Sequence, residues 1–288
     1  MGGHPGELPA AGWQHPGARS PPALPARRGD PLTRPSVLRV EGLGLLRNGR
    51  WDLKAISFSL APGEALGVVG ASGAGKSTLL HLALGLLEPS AGCITLQGKP
   101  WSPLAERDRR HLRPRIQAVF QEARASLPPH RTGWEILQEP LEIWGRGTAP
   151  QRREAAVRMA DRVKFPEAAL DQRPEGWSGG LAQRLCLARA LMLEPAVLVL
   201  DEPFSALDPT LAGHLLALLL SLKAEGLALL LSSHDLAFVQ RLCEGMLVLG
   251  EGTPMCQGRT AKLLSDPMDP YLKKLSEAAP RLPQVAGD

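Results

Sequence analysis

The sequence contains few cysteines, and their positions exclude several kinds of site. It has four, Cys93, Cys186, Cys243 and Cys256, with no Cys-x-x-Cys pair and no histidine nearby at metal-ligand spacing. Cysteine ligands of zinc and of iron–sulfur clusters occur in closely spaced pairs. We therefore expect reduced thiols that act as small hydrophobic side chains in a cytosolic protein, and no metal or iron–sulfur site among them.

The chain also lacks a long hydrophobic run and a large excess of charge. Its longest leucine-rich stretch, residues 211–233, is interrupted by His214, Lys223 and Glu225, so it does not form a membrane-spanning helix. The formal net charge is only +4. Such a small excess requires no nucleic acid, and we predict no nucleic-acid partner. If the protein serves a membrane, it does so through a partner.

We expect the chain to consist of three parts. Residues 1–36 hold eight prolines and six glycines without an apolar run, which predicts a disordered arm rather than a signal peptide. Short strand-like runs begin at Val37, and we expect one large α/β domain at residues 37–275 and a short flexible tail at residues 276–288.

Strand-like and helix-like segments alternate along the central part. We predict strands at residues 37–40, 55–60, 65–69, 93–96, 116–120, 196–200 and 227–232, and helical structure at about 122–193 and at 211–223. The helix at 151–163 should bury Ala156, Val157, Ala160 and Val163. The early strands form a β-rich lead-in, whereas the later, fully apolar strands indicate a parallel sheet that is covered on both faces.

The most informative motif is a phosphate-binding loop (residues 70–77). It follows an apolar strand and precedes a helix that begins near Thr78, and its residues are Gly70, Ala71, Ser72, Gly73, Ala74, Gly75, Lys76 and Ser77. Glycines let several backbone N–H groups turn toward one anion, while Lys76 supplies a positive charge and Ser77 a hydroxyl for Mg²⁺. The helix N-terminus also favours phosphate. We therefore predict binding of a nucleoside triphosphate with Mg²⁺.

Two adjacent carboxylates follow the apolar strand at 196–200. Asp201 can hold Mg²⁺ and Glu202 can polarise water, because a parallel sheet presents polar groups to a ligand at the carboxyl ends of its strands. Acidic residues at a strand end are often merely structural. The phosphate loop upstream favours the functional interpretation.

Four further motifs lie in a fixed order around these two: Gln121, Ser-Gly-Gly at 178–180, Ser-Ala-Leu-Asp at 205–208, and His234. Over residues 37–275 this order resembles the ATP-binding subunit of an ABC transporter. The resemblance implies an α/β fold with a P-loop NTPase core, in which a mainly parallel sheet has flanking helices, an antiparallel β lead-in and an inserted α-helical subdomain. A plain GTPase or kinase would explain the phosphate loop but not residues 178–180 or His234.

The resemblance also implies roles for these residues. Two ATP molecules would lie between two head-to-tail subunits, and the phosphate held by one subunit would contact Ser178, Gly179, Gly180 and Asp208 of the other. Gln121 would touch Mg²⁺ and the attacking water and would follow the transmembrane partner. Glu202 would act as general base and His234 would contact the γ-phosphate.

Three positions depart from the family pattern. Trp177 replaces the usual leucine before residues 178–180, and Leu181 replaces the glutamine that commonly follows them, which predicts retained but slower ATP hydrolysis. The position for an aromatic side chain that stacks on adenine, 23 residues before Gly70, holds Arg47. A guanidinium can stack on a base, and Trp51 is the alternative.

Residues 119–129 and 263–272 are similar to segments of the dipeptide, oligopeptide and nickel importers, with Asp269 and Leu272 in place of a histidine and a threonine. We therefore expect uptake of a peptide, nickel ion or metal chelate. The expected partners are transmembrane permease subunits, a second ATPase subunit in a hetero- or homodimer, and indirectly a periplasmic or extracellular solute-binding protein. The chain would lie peripherally on the cytoplasmic face of the inner or plasma membrane. The alternative is a non-transport ABC protein, such as a component of a phosphonate-degrading complex or a nucleotide-dependent regulatory switch.

Overall fold

A computed structural model describes residues 36–205, 207–265, 267, 272 and 273. The predicted N-terminal arm, apart from Ser36, and the predicted C-terminal tail lie outside this part of the chain. The strands are β1 (Leu38–Arg47), β2 (Arg50–Leu60), β3 (Ala65–Gly70), β4 (Ala91–Leu96), β5 (Lys99–Ser102), β6 (Ile116–Val119), β7 (Val197–Asp201), β8 (Ala228–Ser232), β9 (Gly245–Gly250) and β10 (Thr253–Arg259).

Eight α-helices join these strands in the described part of the chain. They are α1 (Lys76–Ala83), α2 (Glu106–Arg109), α3 (Gly133–Ile143), α4 (Ala149–Arg162), α5 (Gly179–Leu191), α6 (Pro209–Ala224), α7 (Leu236–Leu242) and α8 (Thr260–Ser265). Short 3₁₀ turns occupy Arg110–Arg115, Glu167–Ala169 and Pro174–Gly176. Within the described ranges no helix is both long and apolar enough to cross a membrane.

The strands form two sheets. The first is antiparallel, with the order β2-β1-β4-β5, and the second has the order β10-β9-β3-β8-β7-β6. In the second sheet β6, β7, β8, β3 and β9 run parallel, and only β10 is antiparallel to its neighbour. This arrangement confirms the predicted fold class, a mainly parallel sheet with flanking helices and an antiparallel lead-in.

The parallel strands are apolar throughout because both of their faces are buried. Leu198 and Leu200 of β7 pack into a core that contains helices α3 to α7, whereas Val197 and Val199 point to the other side, toward α1 and the antiparallel sheet. This alternation with a period of two residues is the normal consequence of a β-strand. It explains why the sequence of β7 shows no polar face.

The helices α3, α4 and α5 lie between β6 and β7, where helical structure was predicted. Ala156 and Ala160 of α4 and Val163, its C-cap residue, are buried as expected, but Val157 is 37% exposed, so its predicted burial is wrong. The buried stripe of this helix is narrower than the apolar pattern suggested, because Val157 lies about 100° around the helix from Ala156.

Two cysteines, Cys186 and Cys243, pack in the core on the side of these helices, and burial raises the pKa of the Cys186 thiol to about 11.

The ends of several strands also differ from the prediction. β1 extends to Arg47 rather than ending at residue 40, and its pairing with β2 shifts register between Val40 and Leu43. Such a bulge interrupts the alternation by which a strand is recognised. The hairpin β9–β10 and the short strand β5 were not predicted at all.

Candidate nucleotide site

The phosphate loop (residues 70–77) is shaped by glycines that no other residue can easily replace. Gly73 and Gly75 have φ angles of 78° and 98°, in the left-handed region that side chains disfavour. A Cβ atom added to Gly75 would lie 2.8 Å from Leu53 Cδ2 of β2. The loop therefore packs tightly against the antiparallel sheet, while Ala71, Ser72 and Gly73 remain exposed on its outer side.

The end of this loop has the properties of an anion site. Lys76 Nζ donates hydrogen bonds to the carbonyl oxygens of Gly70 and Ala71, at 2.9 and 3.1 Å. Gly75 is the N-cap of α1 and offers no side-chain cap, and the first turn contains no acidic residue. The N–H groups at the start of α1 are thus left to an external acceptor, with Ser77 exposed and Thr78 half-buried beside them.

Asp201, Glu202 and Ser232 meet where β7 and β8 end. Asp201 lies opposite Ser232 in the parallel register. Ser232 Oγ donates to Asp201 Oδ1 at 2.5 Å and accepts from the backbone N–H of Glu202 at 3.0 Å. No role was predicted for Ser232 from the sequence. The feature that could have indicated one is a polar residue at the end of an otherwise apolar strand.

Glu202 and His234 contact each other directly. Glu202 has a φ of 49°, and its Oε2 lies 2.7 Å from Nδ1 of His234. The Glu202 side chain is only 13% exposed, whereas that of His234 is 66% exposed. The N–H of Ser233 donates to the carbonyl oxygen of Val68 at 3.1 Å, which holds the histidine beside the strand that leads into the phosphate loop.

Gln121 lies just beyond β6, the outermost strand of the sheet, and its side chain is exposed. Phe120, the preceding residue, contacts the His81 ring of α1 at a centroid distance of 5.9 Å. On the other side, the Arg124 guanidinium donates to the carbonyl oxygen of Trp177. The segment around Gln121 therefore connects the helix after the phosphate loop with the residue that precedes Ser178.

The signature turn (residues 178–180) starts helix α5. Ser178 is its N-cap and accepts from the N–H of Leu181 at 3.3 Å, and Ser178 and Gly179 are exposed. A Cβ at Gly180 would lie 2.7 Å from Leu211 Cδ1, so this glycine allows α5 and α6 to approach closely. The turn thus presents a hydroxyl and helix N–H groups on the surface of the chain.

Trp177 has a structural reason for departing from leucine. Its side chain is 2% exposed, its Nε1 donates to the carbonyl oxygen of Ala169 at 3.2 Å, and its ring meets that of Phe165 edge-on at 5.5 Å. The indole therefore fills the core of the three-helix region. Leu181 is half-buried and packs against the same core.

In the segment 205–208, Ala206 lies outside the described residues. Ser205 Oγ donates to the carbonyl oxygen of Glu202 at 2.8 Å. Asp208 is the N-cap of α6, where its Oδ1 accepts from the N–H groups of Thr210 and Leu211, both at 3.0 Å. Asp208 is exposed, so the structure shows it as a helix cap at the surface.

Arg47 lies at the end of β1 and is half exposed. Its Nε is 3.5 Å from Asp52 Oδ2. The carbonyl oxygen of Asp52 is 3.3 Å from the position a Cβ would take at Gly75, so this ion pair lies beside the phosphate loop. The ring of Trp51, the alternative, covers Gly44 of β1, where an added Cβ would be 2.7 Å from it.

Comparison with known proteins agrees with this geometry. Residues 53–205 match the family described as ABC transporter. This chain belongs to the ABC transporter family. It is 41% identical over 229 residues to a protein of Brucella ovis that is provisionally named a peptide import ATP-binding protein, a match covering 79% of this chain and 72% of the relative. It is 39% identical to a dipeptide transport ATP-binding protein of Haemophilus influenzae, over 80% of this chain and 71% of that protein.

Solved ABC structures have the same fold. A dimeric ATP-binding cassette in a post-hydrolysis state with ADP and Pi matches with a TM-score of 0.72 at 26% identity, over 77% of this chain and 98% of that one. The structure of cbiO1 from Clostridium perfringens, part of the ABC transporter complex cbiONQ, matches with a TM-score of 0.73 at 28% identity, over 81% of this chain and 92% of that one. Members of this family bind ATP, and the chain is an ABC-type ATP hydrolase.

Proposed function

We propose that this chain binds and hydrolyses ATP to drive a peptide importer of the ABC type. The observation that carries the proposal is the gathering of Lys76, Asp201, Glu202 and His234 at one edge of the parallel sheet. The two relatives described above are named for peptide and dipeptide transport, which supports a peptide as the solute. Uptake of nickel or a metal chelate rests only on the similarity of residues 119–129 and 263–272.

The phosphate loop and the first turn of α1 hold the triphosphate in this proposal. The residues involved extend from Gly70 to Thr78. Lys76 exchanges its two carbonyl acceptors for phosphate oxygens, which attract an ammonium group more strongly. Hydroxyl, carboxylate and amide oxygens are suitable ligands for Mg²⁺, and we assign Ser77, Asp201 and Gln121 to it. Bound Mg²⁺ supplies positive charge that neutralises the phosphate oxygens during transfer.

Glu202 and His234 are the proposed catalytic pair, with Gln121 as the third member. Glu202 is the better enclosed of the pair, which suits a carboxylate that must orient one water molecule and accept its proton. His234 is largely exposed and can turn toward a γ-phosphate. The contact of 2.7 Å between their side chains supports a joint role at one reaction centre.

The signature turn is proposed to act on a nucleotide that a second subunit holds. Ser178 and Gly179 are exposed at the N-terminus of a 13-residue helix, a favourable place for phosphate. Asp208 is also exposed, at the start of α6. We propose a heterodimer with another ATPase subunit as the working form, with the homodimer as the alternative.

The proposed role in an importer implies further protein partners. The ATPase dimer docks on transmembrane permease subunits at the cytoplasmic face of the membrane, where it is a peripheral component. A solute-binding protein on the other side delivers the peptide. We also propose that Arg47 stacks on the adenine, because its half-exposed guanidinium lies beside the phosphate loop.

The substitution Glu202→Gln tests the hydrolytic part of the proposal. The amide cannot accept the proton of water, so we expect turnover to fall by about a hundredfold or more, while ATP binding is retained. Glu154→Gln is a matched control, because Glu154 is an exposed residue of α4 that pairs with Arg158. Hydrolysis by the Glu202 variant at the control rate would refute the assignment of Glu202.

Transport is tested by reconstitution. The chain is combined in vesicles with the permease subunits, second ATPase and solute-binding protein encoded beside it, and labelled di- and oligopeptides are offered with ATP. We expect ATP-dependent uptake of peptide that is lost with Glu202→Gln. Uptake of nickel or a chelate but not of peptide would contradict the peptide assignment, and no uptake of any of them would contradict the importer.

A further inference from the structure

We propose that Ser232 is a positioning residue that places both carboxylates of the site through one buried hydroxyl. This inference rests on the proposed function, because it assigns to Ser232 the task of presenting Asp201 to Mg²⁺ and Glu202 to water.

The hydroxyl of Ser232 makes two hydrogen bonds in opposite directions. It donates to Asp201 Oδ1 at 2.5 Å and accepts from the N–H of Glu202 at 3.0 Å. Ser232 itself is fully buried, with 0% exposure. Loss of this hydroxyl would therefore remove one hydrogen-bond partner from a carboxylate oxygen and one from a backbone N–H.

The backbone shows why such a bond is needed at this point. β7 ends at Asp201, and Glu202 then adopts a φ of 49°, a conformation that a non-glycine residue enters only at a cost. This turn directs Glu202 toward His234. The bond from the Glu202 N–H to Ser232 stabilises the turn, and the parallel register that places Ser232 opposite Asp201 lets the same oxygen hold both residues.

The neighbouring serine provides a contrast. Ser233 is also buried, but its Oγ accepts from the N–H of Asp235 at 3.0 Å and belongs to the start of α7. None of the bonds found for its side chain in the described part of the chain reaches Asp201 or Glu202. Ser232 and Ser233 are therefore two buried hydroxyls of equal size that bond to different groups.

The test uses the full-length chain with Ser232→Ala, Ser232→Thr and Ser233→Ala. Two quantities are measured: kcat and KM for ATP at saturating Mg²⁺, and the Mg²⁺ concentration that gives half of the thermal stabilisation by ATP. For Ser232→Ala we expect kcat to fall about tenfold and the Mg²⁺ midpoint to rise severalfold, with KM nearly unchanged because the phosphate loop is intact. Ser232→Thr keeps a hydroxyl and should restore both values. Ser233→Ala should leave the Mg²⁺ midpoint at that of the wild type.

Several results would overturn the inference. A Ser232→Ala variant with the wild-type kcat or the wild-type Mg²⁺ midpoint would show that the hydroxyl does not position Asp201 and Glu202. An equal rise of the Mg²⁺ midpoint in Ser233→Ala would show a general packing effect. If Ser232→Ala does not fold, Ser232→Cys decides by the same two quantities, since a thiol fills the space but donates weakly. Wild-type protein without Mg²⁺-dependent ATP hydrolysis would instead refute the proposed function, and this inference with it.

Discussion

Replacing Trp177 by leucine, the residue usual for the family at this position, should destabilise the protein. The indole of Trp177 is almost completely buried, donates to the carbonyl oxygen of Ala169, and packs edge-on against Phe165. Leucine keeps part of the packing but neither the hydrogen bond nor the ring contact. We therefore expect Trp177→Leu to lower the free energy of unfolding, although it moves the sequence closer to the family pattern.

The size of the effect follows from these three contributions. Truncation of a buried tryptophan to alanine costs about 3–5 kcal/mol, of which leucine recovers more than half, leaving about 1.5 kcal/mol. The lost hydrogen bond adds about 1 kcal/mol and the lost edge-to-face contact about 0.5 kcal/mol. The sum is about 3 kcal/mol. Trp177→Phe preserves a ring against Phe165 and should cost about half as much.

Urea denaturation followed by far-ultraviolet circular dichroism measures this loss. With an m-value of about 3 kcal/mol per molar urea, the midpoint for Trp177→Leu should fall by about 1 M. Trp144→Leu is the control, because Trp144 is half-buried against the small cluster of Leu141, Met192 and Leu193 and should shift the midpoint less. A midpoint for Trp177→Leu equal to that of the wild type would refute the structural explanation of this tryptophan.

Three further predictions concern the loop, a surface ion pair and the base contact. Gly75→Ala introduces a Cβ 2.8 Å from Leu53 at a φ of 98° and should weaken ATP binding at least about tenfold, measured by titration with a fluorescent analogue. Hydrogen bonds from Arg113 and Arg109 lower the pKa of Glu106 from 4.5 to about 2. The wild type should therefore be more stable than Glu106→Gln above pH 4.5, by at most about 1 kcal/mol because the pair is exposed, and this advantage should disappear as the pH falls toward 2. Arg47→Ala should weaken ATP binding about threefold but leave tripolyphosphate binding unchanged.

Each of these predictions has a control in the same chain. Gly98 has a φ of 74° with open space around its Cβ position, so Gly98→Ala tests backbone strain without the contact. Glu154→Gln removes another exposed ion pair, that with Arg158, and is the control for Glu106→Gln. Arg50→Ala removes a neighbouring charge of the same hairpin. Equal effects in a variant and its control would contradict the corresponding prediction.

The phosphate loop could be read from the sequence because its residues are contiguous and its chemistry depends on backbone shape. The apolar strands β7 and β8 were recognised for a related reason, since burial on both faces leaves no polar position before Asp201 and Ser232 at their ends. β10 gave no such signal, because its residues alternate between exposed and half-buried, and its half-buried face holds Pro254, Cys256 and Gly258 instead of large apolar side chains. Its place in the sheet depends on pairing with β9, which local sequence does not reveal.

Ser232 and Trp177 show a second limit of prediction from sequence. A serine after four apolar residues is equally compatible with a loop, and only the register of β8 against β7 places its hydroxyl between Asp201 and Glu202. The space that Trp177 fills is bounded by residues far apart in the chain, among them Phe165 and Ala169. The family pattern identifies Trp177 as a departure. It does not reveal the size of the space that the indole fills, for which leucine is too small.

The hydrogen bond from Arg124 to the backbone of Trp177 has a consequence for how this subunit could be re-engineered. Residues 121–126 and the signature turn are fastened together by this bond, and Cys186 of α5 adds a second attachment through the carbonyl oxygen of Ala123 at 3.2 Å. A chimera that took only one of these two segments from another ATPase would misplace the other. The contacts that we propose for these two segments, with a permease and with a neighbouring ATPase, should therefore be exchanged together or not at all.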